Sequence, residues 1–306
     1  MRPRLALAVF TVLLLAAAQG WVHAAPTSGG ALARIRDTGR LTLGYRGDAR
    51  PFSYADDSGM PTGYSISVCQ HVVDEVKRAV NLPGLKVEWT PVEFSQRFRA
   101  LRLGEIDVMC GADTVTVGRR READFSIPIF PGGIGALMRA DSSVRLRDVL
   151  SGRGQPFHPV WRANATQLLQ AHDFTIVGDT TAEAWLSKRM NELDVLAPVQ
   201  VLKSYDEGVQ RVLNRRSDVF FGDRAILLDT ARRQSHGRDL IVLDRLFTHE
   251  PMALALAPGD DEFRLLVDGA ISQVYRSGEI EKLYVKYFGE PDESALTFFR
   301  WNTLPE

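Results

Sequence analysis

The chain carries only two cysteines, Cys69 and Cys110, and they do not form a CxxC. Its six histidines, at 23, 71, 158, 172, 236 and 249, fall at no spacing that a metal ion uses. No metal or cofactor is therefore expected. GxSxG, P-loop and GxGxxG patterns are also missing, so no catalytic residue is singled out. Lys and Arg number 37 against 38 Asp and Glu, a formal net charge of −1. Without a basic excess, no nucleic-acid partner is expected. Past the N-terminus there is no apolar run long enough to span a bilayer, which takes about 20 residues. Internal repeats and charge blocks are absent too.

The N-terminus is patterned as an address. Arg2 and Arg4 precede an apolar stretch, Leu5 to Ala18, broken only by Thr11, and Val22-His23-Ala24 supplies a cleavage site. The run is too short for a membrane anchor and reads as a secretory signal peptide over residues 1–24, cut after about Ala24. Its loss takes Arg2 and Arg4 away and moves the formal charge to −3. An exported protein with an even number of cysteines makes Cys69–Cys110 a disulfide candidate, with two buried thiols as the alternative.

With 306 residues the chain is long enough for two domains. Residues 41 to 126 alternate strand and helix patterns. Strands are expected at 41–45, 86–90 and 106–110. Helices are expected over 64–80, where Ile66, Cys69, Val72, Val73, Val76 and Val80 recur at helical spacing, and over 95–103. Gly132-Gly133 breaks the pattern. A second alternating unit follows, with strands at 134–138, 174–177, 199–202, 219–222, 240–243 and 252–256. Its helices fall at 144–150, 164–171, 182–193, 206–214 and 225–233, and helices at 263–275 and 279–288 close the chain. Residues 151–173 read largely as loop.

One stretch concentrates chemistry. Gly104 to Ser126 reads as a buried strand at 106–110, a turn at Gly111, then Thr114 and Thr116 ahead of a helix with Arg119 in its first turn. Amides, hydroxyls and a guanidinium at the carboxyl end of a strand suit a carboxylate. The same residues also describe a helix capped by Thr116 with a solvated arginine. Arg46 and Arg97 fall after strands or at helix starts as well, and become candidates for the same cleft.

The segments LTLGYRGDARPFSY, PTGYSISVCQHVVDEV, GEIDVMCGADTVTVGRRREADFS, VGDTTAEAWL, SDVFFGDRAIL and YRSGEIEKLYVKYFG occur in this order between about 31 and 290. Together they resemble the family 3 periplasmic solute-binding proteins of polar amino acid ABC transporters, and most of all the glutamate/aspartate-binding branch. The resemblance implies an α/β fold of the two-lobe, type II periplasmic binding protein kind. One lobe spans 31–133 plus 250–306 and the other 134–249, with hinge crossings near 131–135 and 246–252. It further implies a periplasmic, monomeric receptor that closes on an amino acid and delivers it to membrane permease subunits.

It implies roles as well. Arg119 and Thr114 would hold the ligand α-carboxylate, Thr180 and Thr181 would donate to it from the second lobe, and Asp223 would accept from the α-ammonium. Arg46 and Arg97 match positions that face an acidic side chain, which points to L-glutamate or L-aspartate. The alternative is that both pair with protein carboxylates such as Asp48, Glu93 or Asp113. The chain departs from the branch at Ala112, where a hydroxyl contact is lost but the backbone carbonyl can still serve the ligand. It departs at Asp113, whose negative charge can neutralise Arg46 or Arg97, and around Tyr205-Asp206, where the branch often has histidine. A second class of function on this fold is cyclohexadienyl (prephenate or arogenate) dehydration. That chemistry needs a general acid in the cleft, and Asp113 or Asp206 are the residues on offer.

Overall fold

The computed structural model describes residues 30–153 and 161–305. The expected export signal lies outside these residues, as does part of the 151–173 segment.

Strands and helices alternate through both halves, and the strands assemble into two main sheets. The first runs in the order Lys86–Pro91, Arg40–Tyr45, Val108–Thr114, Glu250–Leu256 and Asp124–Phe125, with Phe130–Gly132 also paired to Glu250–Leu256. Its first three strands are parallel and Glu250–Leu256 is antiparallel to them. The second runs Val199–Leu202, Phe174–Val177, Val219–Asp223, Ile134–Arg139 and Leu240–Val242. Here the first three are parallel and Ile134–Arg139 is antiparallel. A small sheet of residues 48–49, 53–55 and 61–62 follows the strand Arg40–Tyr45 in the chain, and a cis Arg50–Pro51 peptide lies between its first two strands.

The chain leaves the first sheet after Phe130–Gly132, enters the second at Ile134, and returns at Glu250. Two crossings therefore join the halves. They touch at Gly133, where a Cβ would collide with the Thr248 carbonyl oxygen, so only glycine fits there. Each sheet buries its own apolar cluster under helices. Across the gap Ile226, with Tyr205 and Ala225 at its edge, packs into the cluster of the first half.

The helix Tyr64–Val80 buries Ile66, Cys69, Val72, Val73, Val76 and Val80 against the first sheet, as its periodicity predicts. Cys69 is thereby carried to Cys110, and the two form a disulfide with their Cα atoms 6.2 Å apart.

Three expectations give way. The central strand is Val108–Thr114, so Gly111 lies within it and is no turn. All seven of its residues are buried, because it is flanked on both sides and covered on both faces. The helix expected around Arg119 is a single turn of 3-10 helix, Arg119–Arg121. The helix expected over 95–103 divides into a 3-10 turn, Phe94–Gln96, and a helix, Arg97–Arg102. A last helix, Glu293–Asn302, was not anticipated. It packs Ala295 and Phe299 into the first cluster.

Candidate functional site

A cleft of about 210 Å³ lies between the two sheets, at the carboxyl ends of their parallel strands, where open α/β sheets place ligands. Of the expected residues, Arg46, Ala112, Thr114, Arg119, Thr180, Thr181 and Asp223 line it. Arg97 does not.

Arg119 enters from the turn that follows the central strand. The Thr116 hydroxyl accepts from its backbone N–H at 3.1 Å, so the capping and the cleft-facing readings hold together. One guanidinium nitrogen, Nη1, donates to the Thr114 carbonyl at 3.0 Å. Among the described residues no carboxylate comes within ion-pair distance of it. Burial lowers its pKa, and the like charge of Arg97 adds to the effect. Arg119 is half-buried, so part of the cost of an unpaired charge applies, and an anion in the cleft relieves it.

The other two arginines are already paired. Arg46 is buried and donates through Nε and Nη2 to the two oxygens of Asp48, at 2.9 and 2.8 Å. Arg97 donates through Nε to Asp113 at 2.6 Å, with Asp113 fully buried, and its Nη1 donates to the Phe94 carbonyl. The Phe94 ring stands between them. Its centroid lies 4.5, 3.8 and 5.8 Å from the guanidinium carbons of Arg46, Arg97 and Arg119. Phe94 lines the cleft and Arg97 is packed behind it, between Phe94 and Phe98.

On the opposite wall, Thr180 caps the 13-residue helix Thr181–Leu193. Its hydroxyl donates to the Val177 carbonyl at 2.7 Å, while that of Thr181 donates to Glu250 at 2.6 Å. Both hydroxyls are spent on the protein. What this turn offers the cleft is its helix N-terminus, whose free amides favour an anion.

Asp223 ends the strand Val219–Asp223 and caps the next helix, accepting from the amides of Ala225 and Ile226 at 3.0 and 3.1 Å. Burial pushes its carboxyl up to about 7, against the pull of those amides, and the nearby Glu250 charge raises it further. Tyr205 accepts from the Asp223 backbone N–H at 3.0 Å. It fits because residue 222 is glycine: a Cβ there would come 2.8 Å from the tyrosine ring. Burial raises the Tyr205 pKa, so the phenol stays neutral.

Sequence reasoning missed Glu250, Lys203 and Phe94, all of which line the cleft. Two signals were available. Lys203 directly follows the strand Val199–Leu202, and Glu250 is an acidic residue opening the buried strand Glu250–Leu256. Neither Asp113 nor Asp206 faces the cleft. Asp113 lies behind Phe94 with Arg97, and Asp206 accepts from Arg233 and Gln234 on the surface.

The pattern of the family described as "Bacterial extracellular solute-binding proteins, family 3" matches residues 41–290. The chain is similar to an L-glutamate/L-aspartate-binding protein of Pseudomonas aeruginosa, with 30% identity over 86% of this chain and 81% of that one. It is also similar to a glutamate/aspartate import solute-binding protein of Escherichia coli, with 27% identity over 92% of this chain and 87% of that one. Among solved structures, an ancestral amino acid-binding protein described as a precursor of cyclohexadienyl dehydratase shares its fold. The TM-score is 0.67 at 25% identity, over 84% of this chain and 99% of that one.

Proposed function

This chain belongs to the bacterial extracellular solute-binding proteins, family 3, and from that premise we propose that it binds an L-α-amino acid between its lobes and hands it to an ABC transporter permease. The observation that carries this reading is the pairing state of the cleft. Arg119 has no carboxylate partner among the described residues, while Asp223 and Glu250 supply negative charge to the same cavity. An amino acid zwitterion complements both. Its α-carboxylate takes the Arg119 fork and the amides that open the helix Thr181–Leu193, with Thr114 and Ala112 beside it. Its α-ammonium takes Asp223. The cleft is small, below the 300 Å³ or so at which drug-sized pockets begin, and suits a ligand of this size.

Glutamate and aspartate are the first side chains to test, on the names of the similar proteins. Arg46 brings a cation to the cleft lining, already paired with Asp48, and Arg97 lies behind Phe94, paired with Asp113. Export and cleavage after about Ala24 fit this role, because a receptor for a permease works outside the membrane. The dehydratase reading has less support, since the similar proteins are named as binding proteins and neither Asp113 nor Asp206 lines the cleft.

Calorimetric titration of the chain from residue 25, against the twenty amino acids, tests the proposal. Binding of about 1:1 in the micromolar range or tighter, about −8 kcal/mol or better, is expected. In Arg119→Ala the loss of two charge-assisted bonds, each worth about 1.5–3 kcal/mol, weakens it by at least about a hundredfold. No heat with any amino acid overturns it.

A further inference from the structure

We propose that Asp48 is a specificity-determining residue. Its carboxylate occupies the Arg46 fork where the side-chain carboxylate of an acidic ligand would otherwise sit, so the cleft discriminates against acidic side chains relative to their uncharged amides. The inference rests on the amino-acid reading above and refines it.

Arg46 is the cleft cation, besides Arg119, that is held in the wall. Its side chain is 10% exposed, whereas that of Asp48 is 59% exposed. Both line the cavity. Asp48 takes the Nε–Nη2 edge of the guanidinium with both of its oxygens, which is the bidentate geometry a ligand carboxylate seeks. Arg46 is also fixed in place. Its backbone N–H donates to the Ser53 hydroxyl at 2.9 Å, and its guanidinium lies over Phe94. Asp48 uses two of the five N–H donors of the guanidinium, so a ligand meets the remaining Nη1–Nη2 edge of a cation that is already paired.

Arg97 cannot substitute, because Phe94 screens it and the fully buried Asp113 already holds it. Lys203 remains, on an exposed stem at the rim, where a charge is hydrated and worth less. The rest of the lining adds Glu93, Asp179 and Glu250 to Asp48 and Asp223. An acidic side chain must therefore either share an arginine that Asp48 has already neutralised or displace Asp48 into solvent, which its exposure permits, and does so against a surplus of carboxylates. A side-chain amide needs no displacement. It accepts from the arginine through its oxygen and donates to Asp48 through its NH₂. Specificity here is a difference created by a repulsive group as much as by an attractive one.

The test is titration of wild type, Asp48→Asn and Asp48→Ser with two near-isosteric pairs, L-glutamate with L-glutamine and L-aspartate with L-asparagine. Circular dichroism and thermal melting confirm folding. Removing the resident carboxylate is expected to raise the affinity for at least one acid relative to its amide by tenfold or more, in both variants. The gain should shrink as salt is raised from 20 to 500 mM. If wild type binds an amino acid and the acid-to-amide ratio moves by less than twofold in both variants, Asp48 plays no such part. If wild type binds no amino acid, the functional reading itself fails.

Discussion

The hydroxyl of Thr181, at the first position of a helix on the second lobe, donates to Glu250 at 2.6 Å. Glu250 belongs to the strand that returns the chain to the first lobe. Its other oxygen accepts from Thr248 at 2.9 Å, and the Thr248 hydroxyl accepts from the backbone N–H of Ile134, where the outgoing crossing enters the second sheet. One carboxylate thus ties together both crossings and the helix that opens on the cleft.

Glu250→Ala is expected to loosen that tie. Two hydroxyl groups lose a charged acceptor, worth about 1.5–3 kcal/mol each, and the lobes swing more freely about the hinge. Small-angle scattering of the ligand-free variant should give a larger radius of gyration than wild type. Amino acid affinity should fall by at least tenfold.

Asp223 titrates near neutrality, so binding should depend on pH. With a carboxyl at about 7, the charged form that can take an ammonium is the major one at pH 8 and the minor one at pH 6. The apparent dissociation constant rises as that fraction falls, by about tenfold over this range. Asp223→Asn should bind weakly at both pH values. The stability of the ligand-free protein moves the opposite way. The folded value lies above the ordinary 3.8, so the folded state binds the extra proton. Its melting temperature should gain a contribution as pH falls through 7 towards 4.

Arg97 and Asp113 form a buried ion pair, and removing one partner strands a charge. Arg97→Ala is expected to cost about 3–5 kcal/mol of stability, visible as a melting temperature several degrees lower. Arg119→Ala loses binding with a much smaller change in melting temperature. Equal melting temperatures for the two variants would contradict the division of labour between these arginines.

The Cys69–Cys110 bridge closes a loop with a sequence separation of 41, and such a loop typically contributes about 2–4 kcal/mol. Reductant should therefore lower the melting temperature by several degrees. Cys69→Ser/Cys110→Ser should melt at the reduced value and no longer respond to reductant. Intact mass under non-reducing conditions should lack two hydrogens relative to the reduced chain.

Much of the architecture was legible because it repeats a period. Val72, Val73, Val76 and Val80 announce a helix face, and the apolar run at Val108–Cys110 announces a buried strand. Gly111 misled because glycine so often marks a turn. Here it lies inside the strand, and a Cβ at that position would meet the Asp113 carboxylate at 2.6 Å. That constraint exists only once residue 113 folds back on its neighbours. The helix Glu293–Asn302 escaped notice because its partners, including Tyr275 and Tyr284, lie in other helices.

The sequence by itself determined much of what reaches the cleft, though it offered Arg97, which does not line it, and not Glu250, Lys203 or Phe94, which do. Arg46, Thr114, Arg119, Thr180, Thr181 and Asp223 each end a strand or follow one, and a parallel sheet delivers the ends of its strands to one edge. What each side chain does there was decided by the tertiary structure. Arg46 and Arg97 carry the same charge. One meets Asp48 beside the cavity, the other meets Asp113 behind an aromatic ring, and Arg119 meets neither. The threonine hydroxyls turn to Val177 and Glu250, leaving the amides of their turn open to the cleft. A pattern of residue types fixes direction along the chain. Pairing between charges depends on distances of 3 to 4 Å and on what has been excluded from water, and those are set only when the two lobes come together.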